Sequence, residues 1–193
     1  MNLHSPALRS AQRWLLWLGV AALVYAGGLT AYASIYQRYQ SWRFEQEVAV
    51  PTALIPTETA DVREGDLLGK LEISRIGILV MVFQGMEDHT LIVGAGHVPG
   101  TPWPGSEGNV VIAAHRDTFF RELERIRPGD RIQLETLRGS YEYIVDSVGT
   151  VDPEDTYVME SRAYSELTLI TCYPFYFVGA APERFIVHAR PGN

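Results

Sequence analysis

One strand-like stretch that ends in the only cysteine of the chain constrains the fold most strongly. The first half of the stretch 167–174 alternates apolar and β-branched side chains, a pattern typical of a strand half-buried in a sheet. Pro174 ends this strand, because proline has no N–H to donate to a ladder. The sequence therefore predicts that Cys172 lies at the end of a rigid strand, fixed in place but still accessible. The alternative is that Cys172 is a small, buried and unreactive side chain.

The remainder of the chain from about residue 66 is rich in short strand patterns, which Gly and Pro pairs separate. The candidate strands are Leu68–Ser74, Ile78–Gln84, Leu91–Val93, Asn109–His115, Arg131–Leu137, Tyr141–Val151, Leu167–Cys172 and Arg184–Ala189. Eight strands at this spacing favour a mainly β fold, either a barrel or a sandwich. One helical pattern over residues 119–126 interrupts the series, with Asp117 as its candidate N-cap.

The N-terminal region predicts a membrane location. Residues 14–36 contain no charged side chain, and about 20 apolar residues suffice for a helix to cross a bilayer. Arg9 and Arg13 precede this segment, and aromatic residues lie near both of its ends. We therefore expect a single-pass signal anchor with the body of the protein outside the cytoplasm. A secretory signal peptide cleaved near Ala33 and a buried core helix are the alternatives.

The segment after this apolar run resembles a stalk. The stretch up to Val48 can continue the helix, whereas Pro51 and Pro56 interrupt it. The predicted parts are a cytoplasmic tail (1–13), a transmembrane signal-anchor helix (14–36), a stalk (37–65) and a β-rich domain (66–193).

Charge and cysteine content exclude two classes of protein. The formal net charge is −7, which argues against nucleic-acid binding through a basic surface. One cysteine excludes an intrachain disulfide framework. The hydrophobic fraction of 47% fits a folded domain rather than a disordered chain.

Two further strand patterns carry chemically active residues at their ends. An apolar strand pattern ends at His115, and another begins at Arg184. If both strands lie beside the cysteine strand, the three side chains meet at one rim. Imidazole can then act as proton acceptor and donor for the thiol of Cys172, and a guanidinium can stabilise both the thiolate and a developing oxyanion. Together these groups predict acyl transfer through a thioester.

Three separated blocks of sequence contain the candidate residues. The first is Thr168-Leu-Ile-Thr-Cys-Tyr-Pro-Phe175, and a downstream block ends in Arg184-Phe185. A further block runs Gly94-Ala-Gly-His-Val-Pro-Gly-Thr101, followed by Gly108-Asn109 and Ala113-Ala-His-Arg-Asp-Thr118. Together these blocks resemble the active-site signature of sortases, and the Tyr-Pro-Phe sequence after the cysteine is similar to class D sortases. Ala114 is a departure, since many sortases have glycine before the histidine.

The resemblance implies an eight-stranded sortase-type barrel with a short helix, behind the transmembrane segment. It implies a cysteine transpeptidase that cleaves LPxTG-like sorting signals of secreted proteins and passes the acyl group to an envelope amine. In this reading Cys172 is the nucleophile, His115 the general acid and base, and Arg184 the carbonyl stabiliser. His97, Thr171 and Asp117 are supporting candidates, and no cofactor or metal is required. The amine would come from peptidoglycan or another surface protein.

Three other functions remain open from the sequence. A cysteine hydrolase would use the same groups with water as acceptor. A membrane-tethered barrel without catalysis would bind ligands only. A zinc site would use Cys172, His97 and His115, although their spacing matches no compact motif.

Overall fold

The computed structural model describes residues 6–48 and 62–192, so residues 49–61 of the predicted stalk lie outside the described residues. The chain divides into two units, Met1–Tyr36 and Gln37–Asn193. The described part of the first unit, residues 6–36, is helical, and the second unit contains the barrel.

Helix α1 spans Pro6–Val48 and contains the whole predicted apolar segment. Its continuation to Val48 is as predicted, whereas the predicted tail is already helical from Pro6. In the part of the chain that the structure describes, no helix is long and apolar enough to cross a membrane, so the transmembrane assignment of residues 14–36 is not confirmed. The apolar side chains of Trp14, Leu18 and Leu23 are 77%, 71% and 75% exposed.

Eight strands close into a barrel in the order β1-β2-β3-β4-β7-β8-β6-β5. The strands are β1 Leu67–Ile73, β2 Ile78–Gln84, β3 Ala95–His97, β4 Asn109–Ala113, β5 Arg131–Thr136, β6 Gly139–Val151, β7 Glu166–Tyr173 and β8 Glu183–Pro191. The short helices are α2 Asp88–Val93 and the 3₁₀ helices Ser74–Ile76, Arg121–Arg125 and Thr156–Met159. The predicted mainly β barrel is therefore confirmed, and the sandwich alternative is wrong.

Alternation along the strands decides which side chains fill the barrel. In β7, Leu167 and Leu169 belong to the apolar core, whereas Ile170 and Cys172 are only half-buried. Successive residues of a strand point to opposite faces, so the even-numbered side chains of β7 face outward. The position of Cys172 on the outer face follows directly from this period of two.

The predicted strand Leu91–Val93 is wrong, because these residues form the end of helix α2. The third strand, Ala95–His97, begins two residues later and pairs in parallel with β2. Three consecutive apolar residues do not distinguish a strand from one turn of a helix. The start of α2 is held by a contact remote in sequence, since the carboxylate of Glu64 accepts the N–H of Glu87 at 3.1 Å.

The predicted capping of a helix by Asp117 is also wrong. The 3₁₀ helix begins at Arg121 with Phe120 at its N-cap position, and Asp117 lies in the exposed turn before it. Phe120 and Leu123 are fully buried, as their spacing predicts. The apolar positions therefore identify the buried face, but not the residue at which the helix starts.

A buried carboxylate joins two turns at one end of the barrel. Asp130 is 5% exposed, and its carboxylate accepts hydrogen bonds from the guanidinium of Arg75 and from the N–H of Arg127. Asp130 closes the turn Arg127–Asp130, in which Gly129 has a φ of 91° that favours glycine. The hydrogen bonds from Arg75 hold the pKa of Asp130 below its ordinary value.

We predict that Asp130→Asn lowers the free energy of unfolding by about 1–3 kcal/mol, because it weakens a charge-assisted hydrogen-bond set around a buried group. The folded-state pKa of Asp130 is depressed, so this contribution is complete above pH 3.8 and lost as the pH falls further. Urea unfolding at several pH values measures both effects. The control is Glu142→Gln in the exposed Arg131–Glu142 pair, for which we expect less than about 1 kcal/mol. Equal losses in both variants would contradict the assignment.

Candidate active site

Strand β7 lies between β4 and β8, and its register fixes the position of the cysteine. β7 pairs antiparallel with β8, and Cys172 stands directly opposite Arg184. Because side chains of directly opposed residues share a face, Arg184 also faces outward. The strand-end cysteine and the strand-start arginine are therefore neighbours, as the sequence predicts.

The same register brings the segment that carries His115 to the other side of the cysteine. β7 pairs in parallel with β4 through Ala113 and Ile170, and the N–H of Ala114 donates to the carbonyl of Ile170 at 3.2 Å. His115 follows Ala113 by two residues, and Cys172 follows Ile170 by two. The candidate triad (Cys172, His115, Arg184) therefore comes from β7, from the segment directly after β4 and from the start of β8, three neighbouring parts of the barrel.

All three candidate side chains are half-buried, and Cys172 is a free thiol. A nucleophile needs both a fixed position and access to its substrate, and this partial exposure supplies both. The guanidinium of Arg184 is held at the start of β8, where it donates to the carbonyls of Glu183 at 3.1 Å and Ala181 at 3.4 Å.

A groove of about 310 Å³ lies on the outer face of these strands and includes Arg184, the residue directly opposite Cys172, in its lining. Its strand residues include Ala113, Ile170, Ile186 and Arg184. Its opposite wall comes from the β6–β7 loop (residues 152–165), which contributes Pro153, Asp155, Thr156, Val158 and Met159. The lining is mostly apolar and has the guanidinium of Arg184 in it, which suits a peptide with apolar side chains and a reactive carbonyl.

Buried polar side chains hold this loop, and the sequence analysis assigned them no role. The amide of Asn109 donates to the carbonyls of Val158 at 2.8 Å and Glu160 at 3.3 Å. The hydroxyl of Thr168 donates to the Asn109 carbonyl oxygen at 2.7 Å. Both Asn109 and Thr168 are fully buried. The sequence does contain a signal for this contact, because Asn109 is the first residue of an otherwise apolar strand. A buried side-chain amide requires hydrogen-bond partners, so its presence there indicates a polar contact with another segment.

The network continues to the last strand. Nδ1 of His188 lies 3.1 Å from the hydroxyl of Thr168 and 3.2 Å from a carboxylate oxygen of Glu166. Nε of Arg162, in the β6–β7 loop, lies 3.0 Å from the other carboxylate oxygen of Glu166. Burial lowers the pKa of His188, and Glu166 opposes that effect. His188 therefore supports the groove wall rather than the reacting atoms.

His97 does not join the groove. It pairs with Ile112 across β3 and β4 and shares the barrel-facing side of β3 with Ala95. Its ring nitrogens lie 2.9 Å from the Gln84 side-chain oxygen and 2.9 Å from the Pro102 carbonyl, and its ring stacks on Trp103 at 5.0 Å. Burial lowers the pKa of His97.

The position of His97 also disagrees with the zinc alternative, because Cys172 lies on the outer face of the sheet and His97 on the inner face. Among the described residues, the one group whose ligand atoms lie close enough for a metal ion is Glu64, Glu87 and His89. All three are exposed, and none belongs to the proposed zinc set.

Thr171 supports the site from the inner face. Its side chain is 3% exposed, and its hydroxyl donates to the carbonyl of Ala114 at 2.7 Å. This bond fixes the main chain immediately before His115. Thr171 therefore points away from the groove and supports the site by holding the main chain. Asp117 is exposed in the turn that follows His115.

Comparison with known proteins agrees with this architecture. The sortase domain family matches residues 71–192, which shows that the chain belongs to the sortase family. Sortase D of Bacillus subtilis (strain 168) is 34% identical over 127 residues, 65% of this chain and 64% of the relative. Sortase A of Bacillus anthracis is 28% identical over 123 residues, 62% of this chain and 58% of the relative. The chain thus spans less than two thirds of the length of these relatives.

Solved structures show the same fold. A Clostridium perfringens Sortase D5 transpeptidase has a TM-score of 0.72 at 23% identity, covering 84% of this chain and 99% of that one. Sortase C1 from Streptococcus suis has a TM-score of 0.62 at 26% identity, covering 67% and 74%. The predicted resemblance to sortases, and to class D in particular, is confirmed.

We predict that Thr171→Val lowers the free energy of unfolding by about 1–3 kcal/mol, because it leaves the buried carbonyl of Ala114 without its donor. Thr171→Ser keeps the hydroxyl and should retain most of that stability. Chemical denaturation of both variants measures the difference. A Thr171→Val protein as stable as the wild type would show that this bond does not hold the His115 segment.

Proposed function

We propose that this chain is a cysteine transpeptidase that acts on sorting signals similar to LPxTG. It would cleave between Thr and Gly (or Ala), hold the acyl group as a thioester on Cys172, and transfer it to an envelope amine. The observation that carries the proposal is the β7 register, which sets Cys172 directly opposite Arg184, a residue that lines an apolar groove, and beside the strand that precedes His115. The transpeptidase named among the structural neighbours supports the same reaction class.

The first half-reaction forms the thioester. The thiolate of Cys172 attacks the carbonyl carbon of the substrate threonine, and the carbonyl electrons move onto oxygen. Arg184 donates hydrogen bonds to this oxyanion, an interaction that is stronger in the transition state than in the ground state. The tetrahedral intermediate collapses, the C–N bond breaks, and the leaving amine takes a proton from the imidazolium of His115.

The second half-reaction reverses these steps with a new amine. His115, now neutral, accepts a proton from the incoming amine as its nitrogen attacks the thioester carbonyl. Arg184 stabilises the second oxyanion, and the C–S bond breaks to return the thiolate. All groups required are side chains of the protein, so the proposed chemistry uses no metal or cofactor.

The groove suits the proposed substrate. An extended peptide over β4, β7 and β8 would place apolar side chains against Ile170, Ile186 and Val158, and its reactive carbonyl near Arg184. The β6–β7 loop forms the opposite wall, so we expect it to determine which motif residues are accepted.

We further propose that the protein works at the cell membrane with the barrel outside the cytoplasm. Two observations support attachment through α1. Residues 14–36 lack charged side chains, and the apolar side chains of Trp14, Leu18 and Leu23 are exposed in the structure. The partners are then secreted proteins with C-terminal sorting signals, and an amine of peptidoglycan or of another surface protein.

We predict that Cys172→Ala abolishes cleavage of a sorting-signal peptide, because no thioester can form. His115→Ala should lower kcat by about 10²–10⁴-fold and Arg184→Ala by about 10²–10³-fold. Arg184→Lys should lie between Arg184→Ala and the wild type, since it keeps the charge but loses the planar fork. The full chain is assayed by chromatography of peptide fragments. The control is Arg190→Ala, which removes an exposed arginine of the same strand that contacts Asp146.

The same assay with an added amine separates transfer from hydrolysis. Transpeptidation predicts a peptide–amine product whose share rises with amine concentration. A cysteine hydrolase would give only the free acid at every amine concentration, and a binding module would give neither product. Full cleavage by Cys172→Ala would remove the proposed nucleophile.

We predict that the full chain sediments with bacterial membranes and resists extraction with alkaline carbonate. The double variant Leu18→Asp and Leu23→Asp should move it to the soluble fraction, because each buried aspartate costs about 3 kcal/mol at the centre of a bilayer. Wild-type protein found mainly in the soluble fraction would refute membrane attachment.

A further inference from the structure

We infer that Arg116 is a positioning residue that holds the base and the nucleophile in register. The inference rests on the proposed function, since it assigns Arg116 a part in arranging the candidate triad. The residues concerned are Arg116, which follows His115 directly, and the β7–β8 loop (residues 174–182), which connects the strand of Cys172 to the strand of Arg184.

The guanidinium of Arg116 donates to three main-chain carbonyls of this loop. Nη1 donates to the carbonyl of Pro174 at 3.1 Å. Nη2 donates to the carbonyl of Phe177 at 2.8 Å and to that of Gly179 at 2.9 Å. The Arg116 side chain therefore binds main-chain carbonyls at the beginning and in the middle of the loop.

This contact requires the shape of arginine. A guanidinium presents five N–H donors in a rigid plane, and the three carbonyls here use two of its nitrogens at once. The central carbon of the guanidinium also lies 6.0 Å from the centroid of the Phe177 ring. A lysine carries a single ammonium group on a flexible chain, so it cannot reproduce the planar contact to all three carbonyls.

Hydrogen bonds before and after His115 in the chain show how the contact between Arg116 and the loop affects the position of His115. Before His115, the carbonyl of Ala114 accepts the hydroxyl of Thr171, and its N–H donates to Ile170. After His115, Arg116 binds the loop that follows β7. His115 lies beyond the end of β4, where regular ladder bonds cease. These contacts therefore take the place of strand–strand hydrogen bonds around His115. They hold the main chain that carries the imidazole next to the strand that carries the thiol.

The loop has little other burial in its exposed half. Phe175 is 6% exposed and packs with the core, but Tyr176 and Val178 are 66% and 94% exposed. Few apolar contacts imply a low cost of local opening. The hydrogen bonds from Arg116 oppose that opening, and through the loop they also limit the motion of Arg184 at the start of β8.

A positioning role makes a specific kinetic prediction. The hydrogen bonds of Arg116 go to main-chain carbonyls of the β7–β8 loop, and no residue of that loop lines the groove, so substrate binding should change little when Arg116 is removed. Removal of Arg116 should make the alignment of the Cys172 thiol and the His115 imidazole less precise. Small misplacements of reacting groups lower rates by up to about 100-fold. We therefore expect a fall in kcat without a matching rise in KM.

The test compares Arg116→Ala with Arg121→Ala in the full chain. Arg121 is an exposed arginine whose guanidinium carbon lies 4.8 Å from the centroid of the Tyr176 ring in the same loop, so its removal matches the change in charge. We expect Arg116→Ala to lower kcat for a sorting-signal peptide by about 10- to 100-fold, with KM within about threefold of wild type. Arg121→Ala should retain wild-type kcat.

A second readout does not depend on the peptide. The rate of Cys172 alkylation by iodoacetamide at one fixed pH reports the reactivity and accessibility of the thiol. Arg116→Ala should change this rate, whereas Arg121→Ala should leave it unchanged. Wild-type kcat and a wild-type alkylation rate in Arg116→Ala, or equal losses in both variants, would overturn the inference.

Arg116→Lys covers the case in which the alanine variant fails to fold. It keeps the charge and the aliphatic chain, so we expect a folded protein with a kcat between those of wild type and Arg116→Ala. Wild-type kcat in a folded Arg116→Lys protein would count against the need for the planar contact. If Cys172→Ala retains cleavage, the proposed function fails; if only the Arg116 variants behave as wild type, this inference fails and the proposed function stands.

Discussion

The register in which β7 pairs with β4 and β8 is the constraint on which the rest of the structure depends. A slip of one residue would turn every side chain of β7 to the opposite face. Cys172 would then enter the barrel and Thr171 would face the groove. The alternation of apolar residues prevents this slip, because Leu167 and Leu169 must remain in the core. The chemistry of the outer face is therefore fixed by the packing of the inner face.

Each outward residue of β7 serves a different part of the site. Thr168 lies near the start of β7, beside the β6–β7 loop that forms the groove wall. Its hydroxyl contacts Asn109 of β4 and His188 of β8. Ile170 lines the groove, and Cys172 stands directly opposite Arg184, which also lines the groove. On the inner face, Thr171 holds the main chain next to His115. One strand thus positions the groove wall, the groove floor and the nucleophile, which explains why so short a segment contains so much of the family resemblance.

The alternation of side chains with a period of two made most strands of this barrel predictable from the sequence. The elements that were not predicted are those that leave no such alternation. The strands that carry or precede the candidate triad were found because each is an alternating or apolar run with a reactive residue at or just beyond one end. β3 was missed because three residues contain too little pattern, and for the same reason the sequence did not show that His97 faces the interior. Asn109 and Arg116 donate to carbonyls more than 45 residues away in sequence, and such contacts leave no periodic trace. Strand pairing, rather than composition, reveals them.

The central claim is that sulfur, imidazole and guanidinium act on one carbonyl at the end of the groove. Mass spectrometry of the full chain, quenched in acid after brief incubation with a sorting-signal peptide and no added amine, tests this most directly. The account predicts an added mass equal to the acyl part of the peptide, located by digestion on the fragment that contains Cys172. Cleaved peptide together with an unmodified Cys172 fragment at every quench time, or an acyl group on another residue, would contradict it.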